Sequence, residues 1–138
     1  MPIEFLNADL EITSSEDLEP IRSAFAPYGH RFSEMCCVQN GPGSYFARFE
    51  IHLDDERDDH DADMKIQAFC DAIAELQGPA RQAWDHATRR VIDLGYQSDN
   101  HCAPFSDSLS LDALRRMESL RIELALTIYP QEIRNNPS

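Results

Sequence analysis

The strongest pattern in the chain is an alternation of apolar and polar residues. Over residues 44–53, Tyr45, Ala47, Phe49, Ile51 and Leu53 alternate with Phe46, Arg48, Glu50 and His52, which predicts a strand with one buried and one wet face. Residues 4–12 repeat it, with Leu6, Ala8, Leu10 and Ile12 inward and Asn7, Asp9 and Glu11 outward. Residues 90–97 turn Ile92, Leu94 and Tyr96 inward, and residues 121–129 do the same with Ile122, Leu124, Leu126 and Ile128. Residues 31–39 supply the remaining strand. They join residues 44–53 through Asn40-Gly41-Pro42-Gly43, a composition that suits a hairpin turn.

Helical spacing separates these strands. Leu18, Ile21, Phe25 and Tyr28 follow the polar start Thr13-Ser14-Ser15-Glu16-Asp17, with Pro20 in the first turn and Gly29 at the end. Ile66, Phe69, Cys70, Ile73 and Leu76 form a second apolar stripe. Gly78-Pro79 stops that helix and starts a short one running to Ala87. A last helix, capped by Ser110 or Asp112, is expected to bury Leu111, Leu114, Met117 and Leu120. The order is β-α-β-β-α-β with an added α-β unit. It predicts an α+β domain over residues 1–130, with a mostly antiparallel sheet of about five strands, helices on one face, and a ferredoxin-like core. Residues 131–138 form a polar tail.

Charge narrows the range of partners. Twelve Lys and Arg against 25 Asp and Glu give a net charge of −13. Such a surface repels phosphate backbones and anionic membranes, so neither a nucleic acid nor a membrane is expected as partner. A basic protein would instead be steered onto it. The apolar runs are too short to span a bilayer, and Met-Pro-Ile-Glu-Phe-Leu lacks the features of a signal peptide, so the expected location is cytoplasmic. Seven acids crowd residues 54–63, predicting a solvated, mobile loop whose end caps the second helix.

Sharper motifs fail on spacing. Gly41-Pro42-Gly43-Ser44-Tyr45 has Phe46 where a dinucleotide loop needs its third glycine, and its serine is one position late for a nucleophile elbow. An EF-hand loop started at Asp59 would put Met64 at the glycine position and Cys70 at the glutamate position. Tyr45 and Phe49 belong to the core side of their strand, not to a base-stacking platform. Cys36, Cys37, Cys70 and Cys102 make no C-x-x-C pair and are expected to be free thiols. The five histidines show no ligand spacing. Trp84, with Arg81, Arg89 and Arg90, forms the one local basic cluster and reads as a packing anchor.

Several stretches are familiar as a set: Ser14-Ser15-Glu16-Asp17-Leu18-Glu19-Pro20, Phe46-Ala47-Arg48-Phe49-Glu50, Ile66-Gln67-Ala68-Phe69-Cys70, Arg81-Gln82-Ala83-Trp84, Asp93-Leu94-Gly95-Tyr96, and Leu114-Arg115-Arg116 through Thr127-Ile128-Tyr129-Pro130. In these the chain, over residues 3–130, resembles a family of small bacterial α+β proteins and, more distantly, bacterial immunity-type domains. The resemblance implies no catalytic residue.

The expected functional surface is the outward side of the strands, where Asp9, Glu11, Arg48, Glu50, His52, Asp93, Glu123 and Thr127 should share one face. The preferred reading is a non-enzymatic binding module, in an immunity or regulatory role, whose acidic surface meets a basic protein. No catalytic residue, metal ligand or cofactor is assigned. One alternative is a metal-dependent enzyme or small-molecule binder using these carboxylates and His52, because carboxylates beside a histidine can exchange protons or hold a divalent ion. The other is a homodimer formed through the open sheet.

Overall fold

The computed structural model describes residues 4–53, 61–98 and 106–130. Its elements are β1 (Glu4–Ser14), α1 (Glu19–Phe25), a 3-10 segment (Ala26–Arg31), β2 (Phe32–Gln39), β3 (Tyr45–Ile51), α2 (Ala62–Ala74), α3 (Gly78–His86), β4 (Arg89–Gln97), α4 (Leu111–Ser119) and β5 (Glu123–Tyr129). The expected mobility of residues 54–60, the loop cysteine Cys102 and the tail 131–138 lie outside the described residues.

The strands form one sheet in the order β2-β3-β1-β4-β5. The β1–β3, β1–β4 and β2–β3 ladders are antiparallel, and the β4–β5 ladder is parallel. The fold is therefore α+β with a mixed, mostly antiparallel sheet. In this order β3 separates β1 from β2, and β1 separates β3 from β4, so those two helical connections each span an intervening strand, whereas α4 joins the neighbours β4 and β5. The parallel β5 adds a fifth strand beyond those four.

Alternation decides which side each residue faces. Ala8, Leu10, Ile12, Ala47, Phe49, Ile51, Ile92 and Leu94 are buried in one core with Ile21 and Phe25 of α1, Ile66, Phe69 and Ile73 of α2, and Trp84 of α3. Phe25 stacks on Phe32 at 5.2 Å and meets Phe49 edge-on at 5.1 Å, which locks α1 onto the β2–β3 hairpin. Asp61 caps α2 by accepting from the Met64 amide at 2.9 Å, as the end of the acidic run predicted. Cys70 is buried within this core, and burial pushes its thiol up to about 11. Cys36, Cys37 and Cys70 are free thiols.

Four details depart from the pattern read along the sequence. The β1 register shifts between Phe5 and Asn7, so Phe5 takes the inward place, 5.5 Å from the Tyr96 ring, while Leu6 is 41% exposed. Strand β1 also runs on to Ser14, because Thr13 pairs with both Phe46 and Arg89, and the N-cap of α1 is Leu18 with no side-chain cap bond, while Asp17 accepts from the Glu19 amide at 2.9 Å. Helix α4 buries Ala113 and Met117, not Leu111, which is 75% exposed, nor Leu114. Arg116 holds it to Gln67 and Asp71 of α2, and Asp112 also bonds Gln67, which turns the leucine side outward. Leu124, Leu126 and Ile128 do point to the helix side of the sheet, but only Ile122 is buried. β5 lies at the sheet edge, past the helices. There Leu124, Leu126 and Ile128 line an open apolar groove of about 300 Å³ with Leu94 and Tyr96.

Candidate functional site: an acidic row across the open face

The strand registers place the outward residues in transverse rows. Asp9 of β1 lies opposite Glu50 of β3 on one side and Asp93 of β4 on the other. Three carboxylates thus stand side by side on three adjacent strands. In the next row Glu11 lies opposite Arg48 and Val91, and Val91 in turn opposite Glu123. Like charges directly opposite one another destabilise a sheet by a few tenths of a kcal/mol per pair unless something offsets them.

Most of these groups have an answer. Arg48 donates from Nη2 to Glu11 Oε1, and its guanidinium lies 5.7 Å from the centre of the Phe46 ring. Asn7 Nδ2 donates to Glu50 Oε1 at 3.2 Å. The Thr127 hydroxyl lies 2.8 and 2.9 Å from the two oxygens of Asp93. His52 Nε2 approaches Glu50 Oε2 at 3.8 Å, and Arg89 Nε donates to Glu123 at 2.7 Å.

Asp9 is the exception among the carboxylates. Its Oδ1 is buried and has no hydrogen-bond partner. Desolvation is the main cause that raises its carboxyl, from 3.8 to about 6, and Glu50 adds to it while Arg48 pulls the other way. The centre of the row is therefore a half-buried acid with one idle oxygen, flanked by two further carboxylates. Such an arrangement gains from a proton or from an incoming cation.

Every residue proposed from the sequence for this face lies on it or at its border, but they do not act as one group. Asp9, Glu50 and Asp93 form the row, with Thr127 and Asn7 holding its two ends. Glu11 and Arg48 are a neighbouring ion pair. Glu123 sits at the edge strand and is committed to Arg89, and His52 follows the end of β3. Sequence reasoning had Asn7 on the right side but missed its role. The signal was its place two residues before Asp9 in the alternation. Gly95 makes room for it, because a Cβ there would stand 2.5 Å from Asn7 Oδ1. Among the described residues, no group of three or more His, Cys, Asp and Glu is arranged to hold a metal ion, so the metal-dependent alternative gains no support from this geometry.

Comparison with known proteins leaves the reading to this geometry. No protein-family model, curated protein or solved structure matches the chain. Among the described residues no helix is long and apolar enough to cross a membrane.

Proposed function

We propose that the chain is a cytoplasmic, non-enzymatic binding module, in an immunity or regulatory role, whose open sheet face receives a basic group of a protein partner. The observation that carries the reading is Asp9, a half-buried carboxylate with an unpartnered oxygen between Glu50 and Asp93. A Lys or Arg head entering the row would offset the mutual repulsion and supply the missing donor. The net charge of −13 supports the same preference by drawing cationic surfaces in from solution. For the fold, we extend the proposal to a ferredoxin-like core of β1 to β4 with β5 added.

The test titrates a lysine-rich peptide into the protein, with a glutamate-rich peptide as control, at low and at high salt. The lysine peptide should bind, weaken as salt rises, and shift the Asp9, Glu50 and Asp93 carboxyl signals before those of other acids. Asp9→Asn should lose most of that binding with its fold intact. Equal shifts at every surface carboxylate, or unchanged binding by Asp9→Asn, would move the function away from this row.

A further inference from the structure

On the helix side of the sheet the chain gathers positive charge. The cleft between the end of α3 and the end of α4, of about 390 Å³, is lined by Arg81, Arg90 and Arg121 around Trp84, with Asp85 as its one acid. This is a concentration of cations in a chain that holds 12 Lys and Arg against 25 acids.

Each arginine is placed for a reason visible in the fold. Arg90 lies opposite Ile12 in the β1–β4 ladder, so its side chain enters the core side of the sheet and is only 7% exposed. Its guanidinium lies 5.6 Å from the centre of the Trp84 ring, and Nη1 donates to the Ala87 carbonyl at 3.2 Å. Its Nε is buried with no partner, and no carboxylate pairs with it. Arg121 follows the last turn of α4 with φ 60, the left-handed conformation that helix ends usually give to glycine. Its side chain has no carboxylate partner among the described residues, and it stands near enough to repel Arg90. Burial and that repulsion together pull the Arg90 guanidinium below its ordinary value. Arg81 is answered by Asp85 at 3.4 Å.

A buried guanidinium with no carboxylate in contact, answered only at a distance by Asp85, beside a second cation on a backbone position that glycine would fill more comfortably, is costly in the empty protein. We propose that this cleft is a binding site for a phosphate dianion, held between Arg90 and Arg121 with Arg81 at its mouth. Two positive charges without carboxylate partners match a dianion, and guanidinium forks match its oxygens. The cleft is larger than a phosphate group, which leaves space for a small organic portion.

Trp84, the sole tryptophan, reports on the site because Arg90 lies over its ring. Inorganic phosphate and glycerol phosphate, titrated at constant ionic strength, should each give a saturable change in Trp84 fluorescence, with chloride giving none. A tighter midpoint for glycerol phosphate would assign the site to a phosphate monoester, and equal midpoints to the free ion. Arg121→Gly keeps the backbone conformation and removes the cation, so it should raise the midpoint by about tenfold or more with an unchanged circular dichroism spectrum. Arg121→Asn, which also tolerates a left-handed backbone, should do the same. No saturable response in the wild-type protein, or a midpoint in both Arg121 variants unchanged from wild type, would overturn the proposal.

Discussion

Asp9 and Arg90 belong to the two strands of one antiparallel ladder, β1 with β4, and point to opposite faces of the sheet. Each buries a polar atom that has no partner, and each has a like charge for a neighbour. Their means of relief differ. A carboxyl can take up a proton, and Asp9 does so near 6, well above the usual carboxylate range. A guanidinium cannot give its proton up at any ordinary pH, so Arg90 relies on the Trp84 ring and on whatever anion reaches the cleft. The charge of the acidic row is thus sensitive to pH, and that of the arginines is not.

The largest effect that separates the two regions should come from Trp84→Ala. The indole is buried, and its Nε1 donates to the Leu120 carbonyl at 3.2 Å, tying α3 to the end of α4. Its removal should cost about 3–5 kcal/mol in urea unfolding and destroy the arginine cleft, while the Asp9 titration stays in place. A loss of under about 1 kcal/mol would show that Trp84 is not the anchor of that side.

Asp9→Asn should act in the opposite sense. At full weight, a shift from 3.8 to about 6 corresponds to about 3 kcal/mol, and solvent contact on a half-buried carboxyl reduces it to about 1 kcal/mol. The variant should therefore be about 1 kcal/mol more stable at pH 7. The sign follows from proton linkage. The folded state holds the Asp9 proton more tightly, so stability from this group is present below 3.8 and is lost as pH rises through about 6. The gap between variant and wild type should open across that window and vanish at its acid end. Urea unfolding at pH 4 and pH 7 measures it, and a gap that narrows with rising pH would contradict the assigned cause.

Two smaller changes refine the contrast. Arg121→Gly should stabilise the phosphate-free protein by about half a kcal/mol, since it relieves the left-handed backbone and the repulsion of Arg90. Thermal melts with and without phosphate would show it, and a destabilised variant would mean that the arginine is structural. Leu126→Lys, at a position 61% exposed on β5, should change stability by less than about 0.5 kcal/mol and leave both regions as they are.

Much of this was legible in the alternation. The inward faces of β1, β3 and β4 emerged as read, apart from Leu6, because two-residue periodicity depends only on local pleating. The acidic residues of the open face were legible for the same reason. Their grouping was not, because the row Glu50, Asp9, Asp93 depends on register between strands 40 or more residues apart. The basic cluster around Trp84 was visible, but Arg121 joins it only through the turn after α4, and Arg89 leaves it for Glu123 on the open side. Leu124, Leu126 and Ile128 carry the pattern of a covered strand. Only topology shows that β5 stands at the edge, beyond the reach of the helices.

The most direct test of the account is the titration of the Asp9 side-chain carboxyl by carbon-13 NMR, alone and with a lysine-rich peptide. The account predicts a midpoint of about 6 in the free protein, falling toward the ordinary carboxylate range as the peptide fills the row. A midpoint near 3.8 in the free protein, or one that does not move on binding, would contradict it.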